Sequence, residues 1–388
     1  MHWRSTFLIS CIGIGGALSA PSPQSQNTKY VDWKKFKAYG VNLGGWLVQE
    51  STIDTTWWNT YSRGAADEWG LCENLGSQCG PVLEKRYATW ITRSDIDDAA
   101  SAGVTLLRIP TTYPGSKLYS GNQKTYLKTI TTYAIEKYGM HIVLDVHGLP
   151  GGINGLTIGE ADGHWNWFHN ETNFDYSMQV VDAAISFIQN SGHPESFTFE
   201  PMNEPADNKD LSTFGTPAAL SDSGAAWVLK YIQAVLDHVA KVNKKIPVMF
   251  QGSFKGEEFW SGNLSRSANL VFDVHNYYFA GRETTSANVP SYICTDAKET
   301  PGDGQFPTFV GEWSIQAVSN NSFALRERNL NVGLAAFHKY SHGGAYWTWK
   351  FSGNATVNGQ GTQADYWNYK GFVDRGYVHP QSSDLDYC

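Results

Sequence analysis

One pattern constrains this chain more than any other: short apolar runs alternating with longer stretches of helical spacing. Eight such runs lie near Tyr39–Leu43, Val104–Ile109, His141–Val146, Ser196–Pro201, Pro247–Gln251, Leu270–His275, Thr308–Gly311 and Gly344–Trp347. Helical periodicity fills several of the intervals, including Asp95–Gly103, Thr125–Tyr138, Ser177–Asn190 and Ala225–Lys241, with Ser221-Asp222 as a cap for the last. Strand-length runs alternating with helices signal βα units and a parallel sheet. Eight such units predict an α/β chain closed into a (β/α)8 TIM barrel, and 388 residues suit one such domain with insertions. A doubly wound open sheet would show fewer strands and a Gly-rich first turn, which is missing here.

Residues 1–19 read as an export signal. Arg4 supplies the positive charge, Phe7–Leu18 is apolar, and Ala17-Leu18-Ser19 offers small residues for cleavage. The cluster Gly13-Ile14-Gly15-Gly16 falls inside that signal, so it is not a phosphate loop. Residues 20–29 look like a flexible mature N-terminus, leaving 30–388 for the barrel. The apolar run is too short to span a bilayer comfortably, so a secreted, extracellular protein with no membrane partner is expected. Loss of the signal removes Cys11 and leaves Cys72, Cys79, Cys294 and Cys388. Four cysteines in an exported chain suggest two disulfides with three connectivities open. A local Cys72–Cys79 loop would leave Cys294 to tether Cys388. Sequons at Asn170, Asn263, Asn320 and Asn354 fit the same compartment.

Net charge is −8, which argues against nucleic-acid partners, whose proteins carry basic footprints. The 15 Trp, 20 Tyr and 19 Phe suit either a large core or the stacking of sugar faces on flat rings. No cofactor is called for, and a monomer is expected.

The ends of the runs carry the chemistry. Nearly every one finishes in a polar or aromatic residue: Asn42, Arg108, His147, Asn203-Glu204, His275 and Tyr277, Glu312, Trp347. In a barrel these ends converge on one face, where active sites sit. Glu204 and Glu312 follow the fourth and seventh runs, 312 − 204 = 108 positions apart. Paired carboxylates across a barrel mouth suit glycoside cleavage, which needs one acid and one nucleophile or base. His147 and His275 lack His-x-His or His-Glu-x-x-His spacing, so no metal site is expected and a hydrogen-bonding role fits better. Arg108 would be a permanent cation partnering a carboxylate that must stay ionised. Ser253 and Ser314 follow strands, but neither sits in a Gly-x-Ser-x-Gly elbow, which discounts an esterase.

At these residues the sequence resembles glycoside hydrolase family 5, retaining glycosidases on a (β/α)8 barrel. Asn203-Glu204-Pro205 is similar to the family's acid/base motif, and Gly311-Glu312-Trp313 to its nucleophile motif. The resemblance implies Glu204 as acid/base, Glu312 as nucleophile, and Asn203 bonding the sugar 2-hydroxyl. It also implies Arg108, His147, His275, Tyr277 and Trp347 as substrate-binding or supporting positions. Gly40-Val41-Asn42-Leu43-Gly44-Gly45-Trp46-Leu47-Val48 and Tyr346-Trp347-Thr348-Trp349-Lys350 are similar to the fungal exo-β-1,3-glucanase branch, which implies Glu50 as a contact to a terminal glucose.

The chain departs from that branch in places. Ser51 stands where a Pro is usual, Leu156-Thr157-Ile158 follows Asn154-Gly155, and Ala280 stands where the branch has the second of two Phe rings that clamp a second glucose. The stretch Gly148–Trp167 looks more like the rutinosidase-like diglycosidases. The expected function is therefore a secreted retaining β-glucosidase-type enzyme of rutinosidase-like kind, a 6-O-α-L-rhamnosyl-β-D-glucosidase acting on flavonoid glycosides. An exo-1,3-β-glucanase releasing glucose from β-1,3-glucan is the alternative. A non-catalytic carbohydrate-binding cell-wall protein is more remote, since both glutamates are present.

Overall fold

The computed structural model describes residues 29–113, 122–379 and 388. The expected signal peptide and all but the last residue of the expected flexible arm lie outside these residues. Eight parallel strands close a barrel in sequence order. They are β1 (Ala38–Asn42), β2 (Leu106–Thr111), β3 (His141–Val146), β4 (Phe197–Glu200), β5 (Val248–Gln251), β6 (Leu270–Asn276), β7 (Thr308–Trp313) and β8 (Gly343–Tyr346). The expected (β/α)8 barrel is therefore the fold. The first βα connection is long and carries α1 (Thr55–Tyr61), α2 (Glu68–Leu75), α3 (Cys79–Thr89) and α4 (Arg93–Ser101). Next come α5 (Gln123–Tyr138), α6 (Glu171–Gln189), α7 (Asp222–Asn243) and α8 (Gly256–Ser261). The ring is completed by α9 (Val289–Glu299) and α10 (Arg326–Tyr340), and the chain runs on through α11 (Ala364–Trp367) and α12 (Tyr369–Asp374).

The helices form where their signals lie. Ser221 accepts a hydrogen bond from Gly224 N and so caps α7, satisfying one orphan donor of its first turn. Thr92 and Asp95 make a reciprocal capping box on α4. The apolar faces of these helices bury against the outward-facing strand residues in one continuous core.

Inside the barrel the pleat sorts residues into layers, because alternate positions point inward. Leu106, Val143, Val271, Phe309 and Ala345 pack into a small apolar plug beneath which Trp33 closes the amino-terminal end. Trp33 donates Nε1–H to Thr198 Oγ1 at 2.9 Å, so its one polar atom is satisfied. Two residues further along the same strands stand Arg108, Asp145 and Asp273, all buried. An apolar layer thus sits directly under a charged one.

Two strand-end readings change. Arg108 is not the end of its strand, because β2 continues through Ile109, Pro110 and Thr111 in register with β3. The arginine consequently points into the barrel rather than out of its mouth. On β4 the ladder stops at Glu200, as it must when the next residue, Pro201, has no N–H to donate. Asn203 and Glu204 therefore lie on a loop between Pro201 and Pro205, with Glu204 at φ +46°, a conformation uncommon outside glycine.

Both disulfides are formed: Cys72–Cys79 joins α2 to α3 with a Cα–Cα distance of 4.9 Å, and Cys294–Cys388 ties the chain end to α9 at 5.4 Å. Among the described residues no helix is long and apolar enough to cross a membrane.

Candidate active site

Arg108 organises the floor of the site. Its Nε and Nη2 donate to both oxygens of Glu200 at 2.8 and 3.2 Å. Nη1 donates to Glu312 Oε1 at 2.7 Å and to Asn42 Oδ1 at 3.1 Å, while Nη2 also reaches Asn203 Oδ1 at 2.8 Å. Asp145 and Asp273 lie 3.3 and 3.7 Å from Nη2. The planar guanidinium, with five donors in a fixed fork, is the one side chain able to serve so many acceptors at once. Burial works against its charge, but Asp145, Glu200, Glu312 and Asp273 more than offset that and hold it firmly protonated.

Glu312 lies on β7 and has both oxygens engaged. Tyr277, just beyond β6, donates its phenol to Oε2 at 2.6 Å while Arg108 holds Oε1. Burial, followed by the charges of Glu312 and Glu204, pushes the Tyr277 phenol far up, so it remains a donor. Glu204 Oε1 lies 2.7 Å from His275 Nδ1, and that same nitrogen is 3.6 Å from Glu312 Oε2. One atom each from Glu204, His275 and Glu312 fall within 4.8 Å of one another. Carboxylates with oxygens this near each other suit a double-displacement site, whose two carboxyl groups lie roughly 5–5.5 Å apart.

The remaining expected residues gather around this pair. His147 follows β3, with Nδ1 2.6 Å from Asp145 Oδ2 and Nε2 3.4 Å from Asn203 Nδ2. Burial opposes a charge on His147, but Asp145 and Glu312 raise its pKa above the ordinary range. Trp347 stacks on the His147 ring at 5.7 Å and 13°. Glu50 has no partner for Oε1 among the described residues, and burial, reinforced by Glu312 and Glu204, pushes its pKa up to about 7. All nine expected site residues thus fall in one cluster. Two triplets, Glu200–Asp273–His275 and Glu204–His275–Glu312, also have the donor types for a cation. Their atoms are already committed to hydrogen bonds, His275 lying between Asp273 at Nε2 and Glu204 at Nδ1, with Glu200 on Arg108 and Glu312 on Arg108 and Tyr277.

Sequence reasoning missed four supporting residues. Asp145, Glu200 and Asp273 sit two, four and two positions before His147, Glu204 and His275. The pleat period puts Asp145 and Asp273 in the inward layer, so alternation counted from the histidines would have found them. Trp367, on α11, stacks on Tyr277 at 5.3 Å and 27°, with its Nε1 bonded to Gln316 Oε1 at 2.5 Å. No local signal points to it. The loop Gly148–Trp167 packs against the Glu204 loop, with Asn154 Nδ2 donating to the Glu204 carbonyl and Ala206 N to the Ile153 carbonyl. A Cβ on Gly155, at φ +68°, would collide with the Trp165 ring, so that turn requires glycine.

A family model described as cellulase (glycosyl hydrolase family 5) matches residues 75–353. The chain belongs to glycosyl hydrolase family 5. It is therefore a retaining glycosidase, with a carbohydrate as substrate. Among solved structures it is similar to AoRut, with 69% identity, a TM-score of 0.89 and coverage of 90% of this chain and 99% of that one. It is also similar to a rutinosidase from Aspergillus niger, with 61% identity, a TM-score of 0.89 and coverage of 90% and 100%. A probable glucan 1,3-beta-glucosidase A from Aspergillus niger is 28% identical over 361 residues, covering 90% of this chain and 80% of that protein. The chain spans 64% of the length of the corresponding Aspergillus fumigatus proteins.

Proposed function

We propose that this family 5 glycosidase is a rutinosidase-like diglycosidase that releases a disaccharide from a flavonoid glycoside. The carrying observation is the contrast in likeness. Identity is 61% to the Aspergillus niger rutinosidase across its full length, against 28% to a glucan 1,3-beta-glucosidase. The departures at Ser51, Leu156 and Ala280 point the same way.

Glu312 acts as nucleophile. Its oxygen bonds to the anomeric carbon while the bond to the leaving oxygen breaks, and Glu204 gives that oxygen its proton. Water then yields a proton to Glu204, its oxygen attacks the anomeric carbon, and Glu312 is released. Asn203 Oδ1 is held by Arg108 and one amide N–H faces His147 Nε2, which leaves the other N–H for the sugar 2-hydroxyl. Glu50 Oε1 takes a glycone hydroxyl, and Trp347 stacks on the sugar. Export, with cleavage near Ser19, is supported by the two disulfides. Asn263, Asn320 and Asn354 are exposed and suit glycosylation, whereas Asn170 caps α6 with its side chain. We assign a monomer with no metal, cofactor, nucleic-acid or membrane partner.

Side-by-side hydrolysis of rutin, p-nitrophenyl β-glucoside and laminarin tests the reading. Intact rutinose from rutin is expected, and turnover of laminarin alone would replace it with the exo-β-1,3-glucanase. Undiminished activity in EDTA is expected as well.

A further inference from the structure

Beneath the two glutamates lies a buried aspartate that the mechanism above leaves unused. Asp273 Oδ2 is 2.9 Å from His275 Nε2, and Oδ1 accepts from Gly311 N at 2.6 Å. Gly311 immediately precedes Glu312, and a Cβ there would run into the Asp273 carboxylate. His275 turns its other nitrogen, Nδ1, onto Glu204. One carboxylate therefore touches the backbone that carries Glu312 and the ring that contacts Glu204. The register shift between Asp273 and His275 against β7 falls at this point, where the ladder gives way to side-chain bonding.

The chemistry of these contacts fixes a tautomer. An ionised carboxylate only accepts, so the hydrogen between Asp273 and His275 must belong to Nε2. Burial opposes the Asp273 charge, but His275 and Arg108 hold it below the ordinary carboxylate range. Glu200 and Arg108 face Asp273 from β4 and β2, while Glu204 and Glu312 face His275 from the β4 loop and β7. With Nε2 committed, Nδ1 meets Glu204, and one proton can lie on either atom without breaking their hydrogen bond.

We propose that Asp273 is a positioning residue for proton donation, acting through His275: it fixes Nε2–H and aims Nδ1 so that Glu204 and His275 share the proton destined for the leaving oxygen. The inference rests on the acid/base reading of Glu204. As the glycosidic bond breaks and the Glu312 bond forms, that proton passes to the departing oxygen, and water replaces it in the second half-reaction.

Leaving-group dependence tests this role, since a well-stabilised phenolate departs without a proton. Asp273→Asn should lower kcat/KM about 100-fold on an alkyl glycoside and less than about 10-fold on the 2,4-dinitrophenyl glycoside of the same sugar. The alkaline limb of its pH–rate profile should move to lower pH. Equal losses on both substrates would overturn the proposal. Glu204→Ala is the control: if it too lacks leaving-group dependence, the acid/base reading itself fails, whereas dependence in Glu204→Ala alone removes only Asp273. Should Asp273→Asn not fold, histidine 15N NMR of the wild-type protein decides the matter. A protonated Nε2 on His275 supports the role, and an unprotonated Nε2 ends it.

Discussion

Tyr277 donates its phenolic proton to Glu312 Oε2 at 2.6 Å, from a ring backed by Trp367. A hydrogen bond to a charged group is worth about 1.5–3 kcal/mol, more than a neutral one. Tyr277→Phe keeps the stacking and removes only the donor. In the proposed mechanism Glu312 loses its charge on bonding the anomeric carbon and regains it on leaving, so this bond strengthens in the second half-reaction. With a substrate whose deglycosylation limits turnover, kcat should fall about 10- to 150-fold with the far-UV spectrum unchanged. An unaltered kcat would mean that this contact contributes nothing to the chemical step.

Arg108 supports the site differently, as a structural cation. It is fully buried among four carboxylates and two amide oxygens. Replacing it with Met leaves those carboxylates facing one another, and breaking such a buried network costs about 3–5 kcal/mol. The urea midpoint of Arg108→Met should drop accordingly with little change in slope. Arg108→Lys keeps the charge but not the fork, so it should fall between. A midpoint within error of wild type for Arg108→Met would contradict this account.

The contrast between these two residues explains what could be read from the sequence. Strand number and order and the presence of four helices follow from periodicity, because period 2 and period 3.6 are visible in a linear chain, although the helix read from Ser177 begins at Glu171. Glu204 and Glu312 were legible because each sits in a short motif near the carboxyl end of a strand, Glu204 on the loop after β4 and Glu312 within β7. Arg108 was legible as a charge, but not as an interior residue, because its position depends on how far β2 runs past it. Asp145, Glu200 and Asp273 became partners only through lateral register, which adjacent strands set between segments far apart in sequence. Trp367 lies beyond the last strand and reaches Tyr277 solely through tertiary folding.

Glu68 gives the protein a pH dependence away from Glu204 and Glu312. Its Oε2 accepts from Gln49 N at 2.7 Å, next to Glu50. Its Oε1 has no hydrogen-bond partner among the described residues, and the residue lines a cavity of about 10 Å³ with Gln49, Gly148 and Glu160. Burial pushes this carboxyl from the ordinary 4.5 up to about 8. An acid whose pKa is raised on folding binds more protons in the native state than in the unfolded one. Its stabilising effect is complete below pH 4.5 and is lost as pH rises to about 8. Glu68→Gln should therefore flatten the stability profile across that range, by on the order of 2–5 kcal/mol. Parallel profiles for wild type and variant, measured by urea unfolding at several pH values, would refute this.

The two disulfides should differ in worth, and the reason is loop length. Cys294 and Cys388 are 94 positions apart, whereas Cys72 and Cys79 are separated by 7. Closing the longer loop removes more freedom from the unfolded chain, about 4–5 kcal/mol against about 2–3 kcal/mol on the chain-entropy estimate. The long bridge also fixes Cys388 against the helical ring, where the Tyr340 hydroxyl donates to its carbonyl. Cys388→Ser should accordingly lower the unfolding midpoint more than the paired change Cys72→Ser/Cys79→Ser does. The reverse order in thermal or urea unfolding would show that native packing around α2 and α3, rather than loop entropy, sets the value of these bonds.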